Sequence, residues 1–585
     1  MNRTSTSLRL ESDTTRWRSL DSLLLMVLAL VSVYNFVRRG PTAFEWPGTD
    51  MAVFYERQQD PTFLPNDYYT NSIAKPNPRH VFGYLVLGTA RLFGADWYSV
   101  YFALRVIQTL AVPMLWYLAM LGLIRKQLTD ERRQFIARIA VATAMVLVMR
   151  RDVSGWFSIA WWPPYFQYVG AHPFAILLGL VGIVMRTHIA GPARNLALFI
   201  WFAATLIHPA IGLFMVAFYL LSEFNDLAWR EMAAVAGIGA VAPIAVLTVW
   251  FRPETPLSAA EFVNLYVLSS HPFHYRVSEF ATLTKHPWWV SFALVLLLML
   301  GTAAIGLVRG NRQLFKLATL FAGSYAGCVV LQYLGTDVFP SKAIASLGPS
   351  RFSFLGYYMV AMLAALTFCD SERVRLHMLR SSWQRGQVWL GRLRPVYIAL
   401  ACSVAAIAMF SLLKDDLQQE VRRKYAGLYD WIERNTAEDA IFLPTFNHAL
   451  HKQLPVIGRR ALFASQTFPF REEAIGEHIK RLTLAYGTLD QLAAMPGRDQ
   501  IAKRTNYFRS LTPAEVARMA ERSRLDYIVV EREHQKPFAG YSACYEDASV
   551  AVYAVRDFAA LADTPRRNER HTEAAARSDR RSTLQ

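Results

Sequence analysis

The sequence predicts an all-α polytopic transmembrane bundle followed by a small α/β or α+β soluble domain. Three observations predict it. Of the 585 residues, 53% are hydrophobic, and they gather in runs rather than spreading evenly. Many of those runs approach the ~20 residues with which a helix crosses a bilayer. Beyond residue 413 the long runs stop, and helical and strand signals alternate instead.

Taken in order, residues 1–19 are polar and basic and lead into an apolar run without a small-residue cleavage site. They read as a cytoplasmic tail before a signal anchor. Eleven spans are expected, at 20–36, 100–124, 139–149, 171–186, 195–208, 210–222, 233–251, 291–308, 317–337, 351–368 and 396–413. The run 139–149 is short before Arg150, and 195–222 becomes a helical pair only if Pro209 marks a tight turn. The two densest basic stretches, Arg125 to Arg138 and Arg373 to Arg394, fall on the same side as the N-terminus, which places that side in the cytoplasm. The net charge of +17 is therefore a topology signal, and no nucleic-acid partner is expected. An odd number of spans puts the C-terminal domain outside, periplasmic if the protein lies in a bacterial inner membrane. Cys328, Cys369, Cys402 and Cys544 are scattered without metal or redox spacing.

The expected soluble domain covers 414–562. The amphipathic Val421 to Asn435 precedes the strand signals AIFLPT and ALFAS, helical signals at 471–486 and 512–523 follow, and LDYIVVE and VAVYAV close the pattern. Residues 563–585 are charged and almost free of aromatics, the composition of a disordered basic tail.

Besides the outer turn at His208–Pro209, this topology gives external loops at 37–99, 150–170, 252–290 and 338–350. The first is the most informative. Its stretch GTDMAVFYERQQDPTFLPNDYYTNSIAKPNPRH, Gly48 to His80, is too rich in carboxylates, aromatics and prolines for a plain connector. The apolar segment 81–94 is too short to span and suits a helix lying at the membrane surface. Among Glu45, Asp50, Glu56, Asp60 and Asp67, Asp50 is the best-placed general base, following a Gly–Thr turn, and Asp67 in PNDYY is next. A carboxylate poised over the membrane can take the proton of a hydroxyl as that oxygen attacks. The bland alternative is a set of solvated loop acids or helix caps, with Thr49–Asp50 capping a helix from Met51.

A phosphate leaving group needs cationic partners. Candidates at the same level are Arg79, His80, Arg105, His208, His271, His274 and Arg351. Arg105, about one turn inside its span, is a functional candidate or a residue snorkelling to the interface. His208, before a proline, is a candidate or a packing residue. His271 and His274 have the spacing of two metal ligands, but Pro272 interrupts the helix and no third ligand is evident, so no metal residues are assigned. The aromatic run WFSIAWWPPYFQY, 156–168, reads as an interfacial belt or a stacking surface for sugar or isoprenoid.

This layout resembles the GT-C superfamily of polytopic membrane glycosyltransferases. The likeness covers the chain in outline and few residues in detail. It implies a GT-C-like architecture and inverting transfer of a sugar from a polyprenyl-phosphate-linked donor to an extracytoplasmic glycan, lipid or protein acceptor, with membrane lipids as further partners. The family places its catalytic aspartate in the first external loop, and Asp50 in GTDMAVFYER is the matching position; Arg79, His271 and Arg351 match by location as donor-phosphate contacts. Several branches carry Asp–Glu or Asp-x-Asp there, whereas Met51 follows Asp50, so a divalent cation is left open. YDWIERNTAEDAIFLPT also resembles the start of the outer domain in bacterial GT-C-like proteins of unassigned activity. The alternatives are a transporter or lipid-handling membrane protein, which wants polar groups deep in the spans and finds Gln332 and Asn35, and an envelope scaffold built around the outer domain.

Overall fold

The computed structural model describes residues 20–35, 49–74, 77, 80–128, 130–160, 164, 170–268, 272–280, 286–369, 424–446, 448–467, 469, 471–495, 500–532, 538 and 541–562. They belong to two compact units. One takes Met1–Pro47, Pro78–Arg252 and Ser258–Asp416; the other takes Gly48–Asn77, Pro253–Leu257 and Leu417–Gln585.

The first unit is helical. Among the described residues, six of its helices are long and apolar enough to cross a membrane: Trp97–Gln127, Ala171–His188, Trp229–Trp250, Trp288–Val308, Arg312–Val338 and Lys342–Cys369. Leu20–Asn35, Pro192–Ile207 and Pro209–Ser222 are shorter apolar helices. The chain is a multi-pass membrane protein. Each expected span from 20–36 to 351–368 coincides with a helix, and 396–413 lies outside the described residues. The expected run 139–149 is the end of a longer helix, Glu131–Val148, because Asp130 caps it by accepting from Arg133 N at 2.8 Å. Large apolar side chains such as Leu297, Leu307, Val249 and Phe199 stay exposed on the helices, as a lipid-facing surface requires.

Small residues let the helices approach. A Cβ on Gly182 would lie 2.4 Å from Trp201 Nε1, and that indole donates to the Gly179 carbonyl at 3.0 Å. At the 195–222 hairpin, Pro209 is the first residue of its helix and His208 Nδ1 accepts from Ile211 N at 3.2 Å. A Cβ on Gly212 would meet the Thr205 backbone at 2.4 Å, so the two arms close directly onto each other. The 81–94 segment forms the helix His80–Phe93, with Phe82, Val86 and Ala90 buried and Tyr84, Leu92 and Phe93 exposed.

The second unit is a mixed five-stranded sheet with helices. Its strands are β1 (Ile441–Pro444), β2 (Ala461–Leu462), β3 (Tyr527–Glu531), β4 (Tyr545–Glu546) and β5 (Val550–Ala554), in the order β2-β1-β3-β5-β4. β1 is parallel to β2 and β3; β5 is antiparallel to β3 and β4. Helix Ala426–Asn435 packs Leu428 and Ile432 against Phe442, Val529 and Val552 to form the core. The acidic segment of the first loop folds into this unit as helices Thr49–Gln59 and Tyr68–Ala74. Pro253–Leu257 also joins it, with Glu254 N and Leu257 N donating to Glu473 and Glu472 at 2.6 and 2.8 Å.

Candidate functional site

In the sheet unit, Asp50 is the second residue of helix Thr49–Gln59, which starts two positions earlier than the sequence suggests. Its side chain lies outside the described residues, as does Glu45. Asp60 is an exposed turn acid: it accepts from Thr62 N and Oγ1 at 2.9 and 2.6 Å and pairs with Arg459 at 3.1 Å.

Asp67 is buried, with 2% of its surface exposed. Its Oδ2 accepts from Thr70 N at 2.7 Å and Thr70 Oγ1 at 2.6 Å, which caps helix Tyr68–Ala74; its Oδ1 accepts from Leu462 N at 3.1 Å. Burial pushes its carboxyl above the ordinary carboxylate range, against the pull of the Thr70 and Leu462 donors. The next residue completes the join. Tyr68 Oη is 2.9 Å from His478 Nδ1 and accepts from Ser465 N at 3.3 Å, while the Arg481 guanidinium lies 4.6 Å above its ring. His478 is buried, and desolvation with the nearby Arg504 charge holds its imidazole down at about 3, so it is neutral.

In the helical unit, Arg351 lies in the 3₁₀ turn Pro349–Leu355 rather than at the start of an α-helical span. Gly348, at φ +62°, ends the preceding helix and forces this turn. The Arg351 guanidinium stacks 4.5 Å above the Tyr275 ring and donates to its hydroxyl, which is 2.9 Å from the Tyr266 hydroxyl. Behind it, Gln332 Nε2 and Thr336 Oγ1 donate to the Tyr275 carbonyl at 3.0 and 3.2 Å. Gln332 Oε1 also accepts from Ser350 N and Oγ at 3.4 Å each. One fully buried amide thus ties the Tyr275 helix to the Arg351 turn. Asp337 Oδ2 lies 2.8 Å from Thr336 Oγ1, an alternative acceptor for the same hydroxyl, and its Oδ1 stands 3.7 Å from Arg276 Nε. Tyr266 sits in the π-helical turn Val263–Leu268 and Thr336 in the π-helical turn Leu334–Val338. Such turns are frequent at functional sites. The product is a braced guanidinium flanked by phenolic hydroxyls, a donor set suited to an anionic oxygen.

The remaining candidates are dispersed. His274 Nδ1 is 3.0 Å from the Ala160 carbonyl and precedes Tyr275, so it and Arg351 flank the same residue. Arg105 is buried in its helix, 6% exposed, with Gln108 buried on the next turn. His208 faces His172 with ring centroids 4.0 Å apart. His80 is fully buried at the start of its helix rather than in an open loop, its ring 5.9 Å from that of Tyr84. Arg79 and His271 lie outside the described residues, as does most of 156–168. Among the described residues no group of three His, Cys, Asp or Glu side chains is placed to hold a metal ion. Tyr266, Tyr275, Thr336 and Ser350 were not predicted. Tyr275 lies inside the SSHPFHYRV motif, but nothing local signals that Arg351 would stack on it.

No protein-family model matches the sequence, and no curated protein matches it. Among solved structures the chain is similar to the apo oligosaccharyltransferase of Archaeoglobus fulgidus, at 13% identity and a TM-score of 0.36, over 87% of this chain and 69% of that one. It is also similar to apo ArnT of Cupriavidus metallidurans, at 12% identity and a TM-score of 0.37, over 91% and 97% of the two chains. The same ArnT bound to undecaprenyl phosphate gives 14% identity and a TM-score of 0.34 over the same shares. Likeness at this level assigns no reaction.

Proposed function

We propose that the chain is a membrane glycosyltransferase that moves a sugar from a polyprenyl-phosphate-linked donor to an extracytoplasmic acceptor with inversion. The observation that carries this reading is the braced Arg351–Tyr275–Tyr266 cluster in a helical membrane unit. A guanidinium held by ring stacking and a buried glutamine is preorganised for phosphate, because its orientation is fixed before the ligand arrives. Asp50 acts as base. It takes the proton from the acceptor hydroxyl while that oxygen forms the new bond to the anomeric carbon. The bond from that carbon to the phosphate oxygen breaks, and the electron pair leaves on the phosphate, where Arg351 meets the charge. Asp67 holds the segment that carries Asp50. Arg79, Arg105, His80, His208, His271 and His274 are further donor contacts to be tested singly. The expected setting is a bacterial inner membrane with the sheet unit in the periplasm.

The test is transfer by the full chain in nanodiscs, supplied with short-chain polyprenyl-phosphate sugars and an envelope extract, with products read by mass spectrometry. Asp50→Asn should fold and lose transfer. Full transfer by that variant removes Asp50 from the mechanism, and cytosolic labelling of a cysteine at position 50 removes the topology.

A transporter or lipid-handling protein is the second reading. The buried Gln108, whose amide makes no hydrogen bond among the described residues, favours it, because a polar group deep in a span is costly without a ligand or partner. Protein-dependent flux of lipid-linked sugar across vesicles without any transfer would decide for it.

A further inference from the structure

The sheet unit holds a small, partly open cavity of about 10 Å³ lined by Asp67, Tyr69, His451, Ser465, Thr467 and Val53. It lies where Ser465 and Thr467 follow the carboxyl end of β2, and β2 runs parallel to β1. Open sheets of parallel strands bind ligands at that end, where loops leave the strands and side chains converge. The cavity is the size of one water molecule, and so of one hydroxyl group.

The polar groups around it have spare hydrogen-bonding capacity. Ser465 Oγ accepts from Thr467 N at 3.0 Å and donates to nothing among the described residues. Thr467 Oγ1 makes no hydrogen bond among them. Asp67 Oδ1 accepts one bond, from Leu462 N, and a carboxylate oxygen can accept two. Beside them, both polar atoms of the Gln466 amide are shut from solvent without a partner among the described residues. A serine hydroxyl with its proton to give, a threonine hydroxyl without a partner among the described residues, a carboxylate oxygen with a lone pair to spare and a tyrosine around a hydroxyl-sized space match one chemistry. That chemistry is an alcohol that donates to the carboxylate and accepts from the serine, on a ring that can lie against an aromatic side chain.

We infer that this cavity is a saccharide subsite that receives a single sugar hydroxyl. Apolar and anionic ligands are excluded by the same lining, the first because it would leave these groups unsatisfied and the second because Asp67 repels it. The inference goes beyond the proposed transfer and does not need Asp50, since it concerns binding alone. The sugar can belong to a soluble glycan or to a lipid headgroup.

The test is saturation-transfer NMR on the full chain in nanodiscs, with a panel of methyl glycosides (glucose, galactose, mannose, N-acetylglucosamine) as the soluble arm. Nanodiscs containing monoglucosyl diacylglycerol, read by competition, are the lipid arm. Saturable binding in either arm is expected, weakened about tenfold by Thr467→Val, which keeps the shape and removes the hydroxyl, and similarly by Ser465→Ala. Hydrogen exchange at 461–465 checks that both variants keep the strand. No saturable binding in either arm overturns the subsite, and so does unchanged affinity in both folded variants.

Discussion

Asp67 accepts the backbone N–H of Leu462 at 3.1 Å, although 395 positions of chain separate them. An acid from the loop after the first apolar helix thereby holds the edge strand β2 of the sheet. The same carboxylate caps its own helix through Thr70. Both oxygens are engaged by donors, so the carboxylate fastens its own helix to the edge strand.

Asparagine cannot replace it. Asp67→Asn keeps one accepting oxygen but turns an NH₂ toward a donor, leaving either Leu462 N or the Thr70 pair unsatisfied. The expected loss is about 2 kcal/mol in the sheet unit. Hydrogen exchange at Leu462 should speed up by more than tenfold while exchange in the spanning helices stays unchanged. Unaltered protection at Leu462 would mean that the carboxylate is not what holds the strand.

Arg351 gives a second prediction, because its geometry and its charge can be separated. Arg351→Lys retains the positive charge and loses the planar fork and the stacking on Tyr275. Tyr275→Phe retains the ring and removes only the hydroxyl. If a preorganised guanidinium meets the leaving phosphate, lysine should lower kcat by about a hundredfold, roughly the effect of deleting one preorganised donor. Phenylalanine should have the smaller effect. Gly348→Ala should resemble lysine, because the new Cβ would lie 3.0 Å from Arg351 Cδ at a backbone φ of +62°. Wild-type turnover in Arg351→Lys would reduce the cluster to a structural contact.

Much of this was legible in the sequence, and the rest was not for a physical reason. The His208–Pro209 corner shows because proline suits the first turn of a helix. β1, β3 and β5 show because IFLP, YIVVE and VAVYA are short apolar or β-branched runs. β4 has two residues and carries no periodic signal. Asp67–Leu462 and Arg351–Tyr275 are invisible locally, since pairing across hundreds or tens of residues leaves no pattern in either segment. Asp67 could thus be singled out as the second base candidate by its PNDYY setting while its partner could not.

His478 makes the sheet unit sensitive to acid. Its folded value of about 3 lies below the ~6.5 of an unfolded histidine, so below ~6.5 the unfolded chain binds a proton that the folded chain refuses. Its contribution is present above ~6.5 and is lost as pH falls toward 3. Asp67, with its carboxyl raised, works in the opposite sense: its contribution is present below the unfolded carboxylate value and is lost as pH rises through the folded one. Tyr68, raised by burial, and Arg504, lowered only to about 10, stay in one protonation state through this range. Through His478, melting of the sheet unit should shift down between about pH 7.5 and about pH 5, with Asp67 opposing it. The shift should shrink in His478→Asn, whose side-chain oxygen can still accept from Tyr68. An equal shift in that variant would assign the acid sensitivity elsewhere.

Gln108 tests the cost of polarity inside the membrane unit. It is 3% exposed, lies in the spanning helix Trp97–Gln127, and neither its Nε2 nor its Oε1 finds a partner among the described residues. A buried amide that makes no hydrogen bond has lost its solvation and gained nothing in return, at about 1–3 kcal/mol. Leucine fills a similar volume without that cost. Gln108→Leu should therefore raise resistance to denaturation of the detergent-solubilised chain by about 1–3 kcal/mol. A gain in stability accompanied by a loss of function would show that the amide is retained for a ligand, since selection for stability alone favours the leucine. A loss of stability would show that the amide is hydrogen-bonded in the membrane, and would withdraw the observation that favours transport over transfer.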